Sequence, residues 1–304
     1  TGAYNIGIGP AAGGAITTGN YNIVMGYAAF DASTTAGYTI AIGALALSAY
    51  THSENSFNIA IGGSGPAPVK TSGRFNTYIG GYQVAAADLT GEYNTFLGVY
   101  TNERGTDTDY TTLIGSSAGR YSTGSYNTFV GSAAGQGGTT SAPYSSGVNN
   151  TAIGYQALAG FTTAGGNTAM GYQAGAAITT GGNNVFIGKL AGDLLTTGTN
   201  NVVVGAGALG TADGGERENI AIGQSAAGNI NNDSAIRNVF IGEYAGFGGT
   251  GALNYSVAIG YRALDSTGTS GGASGTVAIG YYAGADITSG AANTVIGYES
   301  GKAL

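Results

Sequence analysis

Residues Asn150 to Gly205 read NTAIGYQALAGFTTAGG, NTAMGYQAGAAITTGGN, NVFIGKLAGDLLTTGTN and NVVVG. One unit of 17 residues is written three times and a fourth copy begins. Each copy carries an Asn, a β-branched residue, a variable residue, an aliphatic residue and a Gly. An Ala-rich segment and a Thr-Thr-Gly-like turn follow. Self-similarity at a short fixed period marks a repeat architecture and outranks any local motif. Outward from this stretch the same unit covers nearly the whole chain. Its Gly falls at 9, 26, 43, 62, 80, 98, 115, 131, 154, 171, 188, 205, 223, 242, 260, 280 and 297, which makes 17 copies.

The residue before each Gly is aliphatic and the residue two earlier than that is β-branched, as in Ile40 and Ile42 or Val185 and Ile187. Side chains alternate along a strand, so these two positions share one face. Their invariance assigns them to the interior. The residue between them varies (Ala152, Phe186, Val203) and belongs to the other face. Each unit therefore supplies one short strand. A run of 17 residues is too short for a helix pair or a four-stranded blade. The fold read from the sequence is all-β, a parallel β-solenoid or β-roll of 17 short repeats of about 17–18 residues, in a single array over 1–304.

An Asn precedes the β-branched residue in 13 of the copies, Asn22, Asn76, Asn150, Asn184 and Asn219 among them. Stacked coils place such residues about 4.8 Å apart. Their amides can then bond from coil to coil as a ladder. Ile42, Ile153, Ile187 and Ile259 form the matching aliphatic ladder. An Ala stands three residues after the Gly in 13 copies, where another backbone passes close by. With about two large inward side chains per unit, one chain has a thin core, and three parallel copies around an axis would thicken it. A homotrimeric fibre is the expected assembly. Neither end reads as a polar cap, which solenoids normally carry. The chain is therefore expected to be a segment of a longer fibre, or to stack end to end.

Composition narrows the function. Charged residues are 8%, the net charge is −7 and there is no basic run, so a nucleic-acid partner is not expected. With no Cys, neither disulfides nor thiolate metal sites hold the fold. No apolar run reaches membrane-spanning length, and membrane insertion is not expected. The glycine-rich Val202–Gly210 imitates a dinucleotide fingerprint, but Thr211-Ala-Asp-Gly-Gly follows where a helix is required. His52 is the only His and sits in a polar loop, too little for a triad or a metal site. Glu103, Asp107 and Asp109 could hold Ca²⁺, although a solvated charged loop is the plainer reading. Glu216, Arg217 and Glu218 read as a surface ion-pair cluster. No enzyme activity and no cofactor are expected.

The run Asn254-Tyr-Ser-Val-Ala-Ile-Gly260-Tyr-Arg-Ala263 resembles the head repeat of trimeric autotransporter adhesins, which read like N-S-V-A-I-G-x-x-A. NTAIGYQAL and NTAMGYQAG with TTG-type turns are similar to the repeats of phage tail fibres. The resemblance covers essentially the whole chain and implies a trimeric parallel β-roll that contacts cell surfaces. The autotransporter repeat is nearer 14 residues, and no coiled-coil stalk, membrane anchor or chaperone domain is seen here. The expected function is a non-catalytic structural fibre with an adhesive or receptor-binding role, located extracellularly, on a cell surface or on a virion. Its partners would be further copies of itself and a cell-surface glycan or protein receptor. The alternatives are a self-assembling extracellular filament subunit and, less favoured, an ice-binding solenoid. Candidate contact residues are Tyr144, Glu103, Arg104, Asp107, Tyr155, Tyr172 and Tyr261, with the loops 136–148, 102–110 and 265–275. A row of outward Tyr after the Gly could also stack on sugars.

Overall fold

The structure, a computed structural model, describes residues 2–63, 66–68, 70–231, 235–248, 253–266 and 273–301. The chain divides into two compact units, Thr1–Asn150 and Thr151–Leu304. Each is a parallel β-solenoid in which every repeat contributes one three-residue strand. The first unit holds β1 (Ile6–Ile8), β2 (Ile23–Met25), β3 (Ile40–Ile42), β4 (Ile59–Ile61), β5 (Thr77–Ile79), β6 (Thr95–Leu97), β7 (Thr112–Ile114) and β8 (Thr128–Val130). The second holds β9 (Thr151–Ile153), β10 (Thr168–Met170), β11 (Val185–Ile187), β12 (Val202–Val204), β13 (Ile220–Ile222), β14 (Val239–Ile241), β15 (Val257–Ile259), β16 (Val277–Ile279) and β17 (Thr294–Ile296). Within each unit every strand pairs in parallel with the next, and equivalent repeat positions face one another. Thr168, Ala169 and Met170 oppose Val185, Phe186 and Ile187. Among the described residues there is no α-helix. The fingerprint-like Val202–Gly210 is thus a strand running into a tight turn, with no helix to receive a phosphate.

The strand faces are the reverse of those assigned from invariance. In every strand from β2 to β17 the middle residue is buried and its two neighbours are half-buried or exposed. Ile42 and Ile259 are half-buried, and Ile153 and Ile187 are 36% and 38% exposed. They lie on an outer ladder, not in the core. The reason is the Asn. It is the buried residue, hydrogen-bonded to neighbouring coils, and alternation then sends the β-branched residue out, the variable residue in and the aliphatic residue out.

Variation at the inward position follows from a volume constraint. Phe129, Phe186 and Phe240 are buried, and the residue six positions later is Gly135, Gly192 or Gly246. A Cβ on Gly192 would lie 2.4 Å from a Phe186 ring carbon. Where the strand offers only Ala41, Ala152 or Ala258, the same later position is Leu47, Leu158 or Leu264, each buried. Large and small residues trade places inside one coil, as close packing demands. The repeat's Gly answers a different need. Gly188 has φ +134°, and a Cβ there would sit 2.6 Å from the carbonyl oxygen of Gly205. One backbone crosses the next too closely for any side chain.

The asparagines supply the coil-to-coil polar contacts. Asn184 N–H donates to Asn167 Oδ1 at 3.0 Å, and Asn184 Nδ2 donates to the same oxygen at 3.0 Å and to Gly198 O at 2.8 Å. Asn184 Oδ1 in turn accepts from Asn201 N–H at 2.9 Å. The pattern runs from Asn167 to Asn238, and Ser256 N–H donates to Asn238 Oδ1 at 3.0 Å. In the first unit Asn22, Asn76 and Asn150 accept the same role, their N–H groups donating to Asn5, Asn58 and Asn127. Thr39 has no amide to span the gap to Asn58, and its hydroxyl bonds the next coil's Ser56 Oγ at 2.5 Å. The next coil's Asn58 N–H instead bonds Ser56 Oγ of its own coil, at 3.2 Å.

Candidate functional site

Three kinds of surface are available for recognition: the outer strand face, stacked rings beside it, and the turns. On the outer face the β-branched and aliphatic residues form two continuous rows. Leu97 is 43% exposed, and Ile153, Met170, Ile187 and Ile241 are similarly open. These rows hold the most invariant apolar residues of the repeat, and among the described residues they are half-buried or exposed.

The second surface was read from the sequence only in part, as the Tyr row after the Gly. In the first unit the residue before the Asn or Thr that leads into each of β1 to β8 is aromatic: Tyr4, Tyr21, Tyr38, Phe57, Phe75, Tyr93, Tyr110 and Tyr126. All eight are exposed, and their rings stack in one run with centroids 4.8 to 5.4 Å apart. The recurrence of an aromatic one position before the Asn was the signal available. The rows after the Gly behave alike in the second unit. Tyr155 stacks on Tyr172 at 5.5 Å, and Tyr261, Tyr281 and Tyr298 stack in series at 5.4 and 5.1 Å. Stacked rings turn their faces to one another, so edges and hydroxyls meet solvent. A sugar ring could lie on an inner ring face only by displacing the neighbouring ring. Tyr155 and Tyr172 remain open at the edge, and Tyr261 is half-buried beside Arg262, whose guanidinium lies over Tyr244 at 5.0 Å and pairs with Asp265 at 3.3 Å.

The charged loop divides into inner and outer residues. Glu103 is 3% exposed and paired with both Arg104 and Arg120, so it holds the loop together and is not a surface contact. Arg104 is exposed. Asp107 is exposed as well, with Oδ1 accepting from Thr90 N–H and hydroxyl at 3.1 and 2.7 Å. Asp109 Oδ1 accepts from Glu92 N–H at 2.8 Å. Among the described residues no three His, Cys, Asp or Glu gather as a metal site. Glu216 is also buried, accepting from Gly214 N–H at 3.2 Å, which removes it from the surface ion-pair cluster. Its neighbour Glu218 pairs instead with Arg237 at 2.6 Å. His52 is half-buried, its Nδ1 accepting from Glu54 N–H at 3.1 Å.

Among the three loops, 136–148 places Tyr144 against Tyr121, half-buried, with centroids 6.3 Å apart. Residues 267–272 of the loop 265–275 lie outside the described residues. Among the described residues no helix is long and apolar enough to cross a membrane. No protein-family model, curated protein or solved structure matches the chain.

One cluster lies off these surfaces and was also missed. Lys70, Asp88 and Tyr78 are fully buried together in the first unit. Their signal was position. Lys70 and Asp88 stand eight residues after the repeat Gly, close to the place, seven after the Gly, where the second unit has buried Phe161, Ile178, Leu195, Ala212 and Ile230.

Proposed function

We propose that the chain is a non-catalytic structural fibre that assembles as a homotrimer and binds a cell-surface glycan or protein through its turns. The observation that carries this reading is the direction of the invariant side chains. A monomeric solenoid has no use for a β-branched and an aliphatic residue on its outer face in every coil. A row of such residues on each copy is a self-complementary surface, and exposed apolar patches of this kind mark interaction sites. In-register parallel copies would set identical rungs against one another. The turns, which take up all the length variation of the repeat, would stay outside and free to vary.

Sedimentation equilibrium of the purified chain tests the assembly. A mass of three chains is expected, and Ile187→Asp with Ile241→Asp should shift it towards one chain while each coil keeps its own core. A single-chain mass for the unaltered protein would sink the trimer. Deletion of residues 137–147 tests recognition: binding to cells or to a glycan array should fall, and unchanged binding would remove that loop from the contact surface.

A further inference from the structure

We propose that Lys70 and Asp88 join covalently, through an amide between Lys70 Nζ and Asp88 Cγ, which fastens two successive coils of the first unit. Both side chains are fully buried, and Nζ lies 3.2 Å from Asp88 Oδ2. Tyr78, the inward residue of β5, donates its hydroxyl to that same oxygen at 2.6 Å. The other carboxyl oxygen, Oδ1, accepts from Gly91 N–H at 3.0 Å. Nζ also donates to Gly91 O at 2.7 Å. It lies against Gly73, where a Cβ would come within 2.9 Å of it.

Each contact has a role in amide formation. Burial lowers the affinity of Lys70 for its proton, against the pull of Asp88. Out of water a neutral amine beside a neutral carboxyl competes with the ion pair. Transfer of one proton from Nζ to Oδ2 produces that nucleophile and that acid. The nitrogen lone pair then attacks Cγ. Charge builds on Oδ1, where the Gly91 N–H already points, as in an oxyanion hole. Collapse of the adduct forms the C–N bond and breaks the bond from Cγ to Oδ2. Tyr78, whose hydroxyl lies 2.6 Å from Oδ2, protonates the departing oxygen, and the proton that the nitrogen then gives up restores the phenol. Burial, with the Asp88 charge beside it, raises the Tyr78 pKa well above its ordinary value, so the phenol is neutral and is the donor in its hydrogen bond to Oδ2. The nitrogen loses two protons in all, both leave with Oδ2 as water, and no oxidant or cofactor is consumed.

The fold itself has no need of the charges. At Phe161, Ile178, Leu195, Ala212 and Ile230 of the second unit the column is apolar, and an apolar pair of similar volume generally serves a buried site as well as an ion pair does. A residue pair that is dispensable for packing yet supplied with a proton donor and an oxyanion contact is better explained by chemistry.

The test is the mass of the folded, unaltered chain, measured after denaturation. We expect it one water, about 18 Da, below the sequence mass. With no Cys present, no disulfide can contribute to the shift. Trypsin should fail to cut after Lys70, and fragment ions should join Lys70 to the peptide 75–104. Lys70→Met with Asp88→Leu, which restores an apolar column, should have its full sequence mass. In Tyr78→Phe the loss of water after synthesis, followed by mass in samples taken at intervals from expression onward, should be slowed about a hundredfold. A folded wild-type chain of full mass that trypsin cuts after Lys70 would overturn the bond. An unchanged rate in Tyr78→Phe would overturn the role of Tyr78.

Discussion

The two units use the same backbone and fill one position differently, the first with a continuous row of rings and the second with a mixed set. Before each Asn or Thr the chain turns through the left-handed region: φ is +61° at Phe75 and +58° at Asn183. The second unit first meets this with Gly166, Asn183 and Asn200, residues that take positive φ readily, and then with Glu218, Arg237, Tyr255, Gly275 and Ala292, which form no continuous row of rings. The first unit puts eight aromatic rings there, at a cost of about 1–2 kcal/mol each. Each added ring also makes about one stacked pair, worth about 0.5–1.5 kcal/mol. The lesson is that backbone strain at a repeated position can be offset by the neighbours that repetition supplies, but only when the ladder is continuous. A lone ring would carry the strain without the stack.

The comparison can be broken or sharpened at four levels. The largest effect should fall on what both units share. Gly98→Ala and Gly188→Ala each put a Cβ within 2.5 or 2.6 Å of the next coil's carbonyl oxygen. Either should destabilise its unit by more than about 4 kcal/mol in urea unfolding. A mild effect in one unit alone would show that its coils are free to separate.

Next comes the asparagine ladder. Asn184→Ala would leave Asn201 N–H, Gly198 O and Asn167 Oδ1 short of a partner, a loss of about 3 kcal/mol. The first unit's ladder is already interrupted at Thr39 and Thr111, and Asn22→Thr there should cost less than Asn184→Thr. Equal costs would mean that continuity adds nothing.

The aromatic position itself is the sharpest test. Phe75→Asn exchanges two stacked pairs for a relaxed backbone and should cost about 1 kcal/mol. Asn183→Tyr should also cost about 1 kcal/mol, because it adds strain without a stacking partner. The double variant Asn183→Tyr, Asn200→Tyr should then cost less than the two singles together, by about 1 kcal/mol. Strict additivity would refute the idea that stacking offsets the strain.

The smallest effect concerns Asp193 in the second unit, where burial raises the carboxyl pKa above 3.8. The folded state then binds its proton more tightly than the unfolded chain. Stability from this group is gained as pH falls through the folded value and is absent at neutral pH. Asp193→Asn should raise the urea midpoint slightly at pH 7 and leave it unchanged below pH 3.8. A lowered midpoint at pH 7 would show that the charge is held by a favourable contact.

Much of the architecture was legible because repetition averages out local ambiguity. The period, the parallel pairing and the turn positions all follow from residues that recur at one spacing. What misled was the equation of invariance with burial. Ile153 and Ile187 recur because they share an outer face, whereas Phe186 varies because Gly192 and its neighbours can trade volume with it. Glu103 and Glu216 were read as surface residues from their charge, and only the folded turns show them enclosed. Lys70 and Asp88 lie 18 residues apart in the sequence, and their contact follows from coil stacking, not from any local pattern.

The sequence by itself determined the coil. A 17-residue period with Gly where backbones cross, Asn where amides can bond, and alternation in the strand leaves little choice but a parallel solenoid. Tertiary structure decided which face is inside, which rings stack and which charges meet. Those outcomes depend on volumes and distances between successive coils, and a one-dimensional pattern records the residues involved without recording which of them are brought within reach.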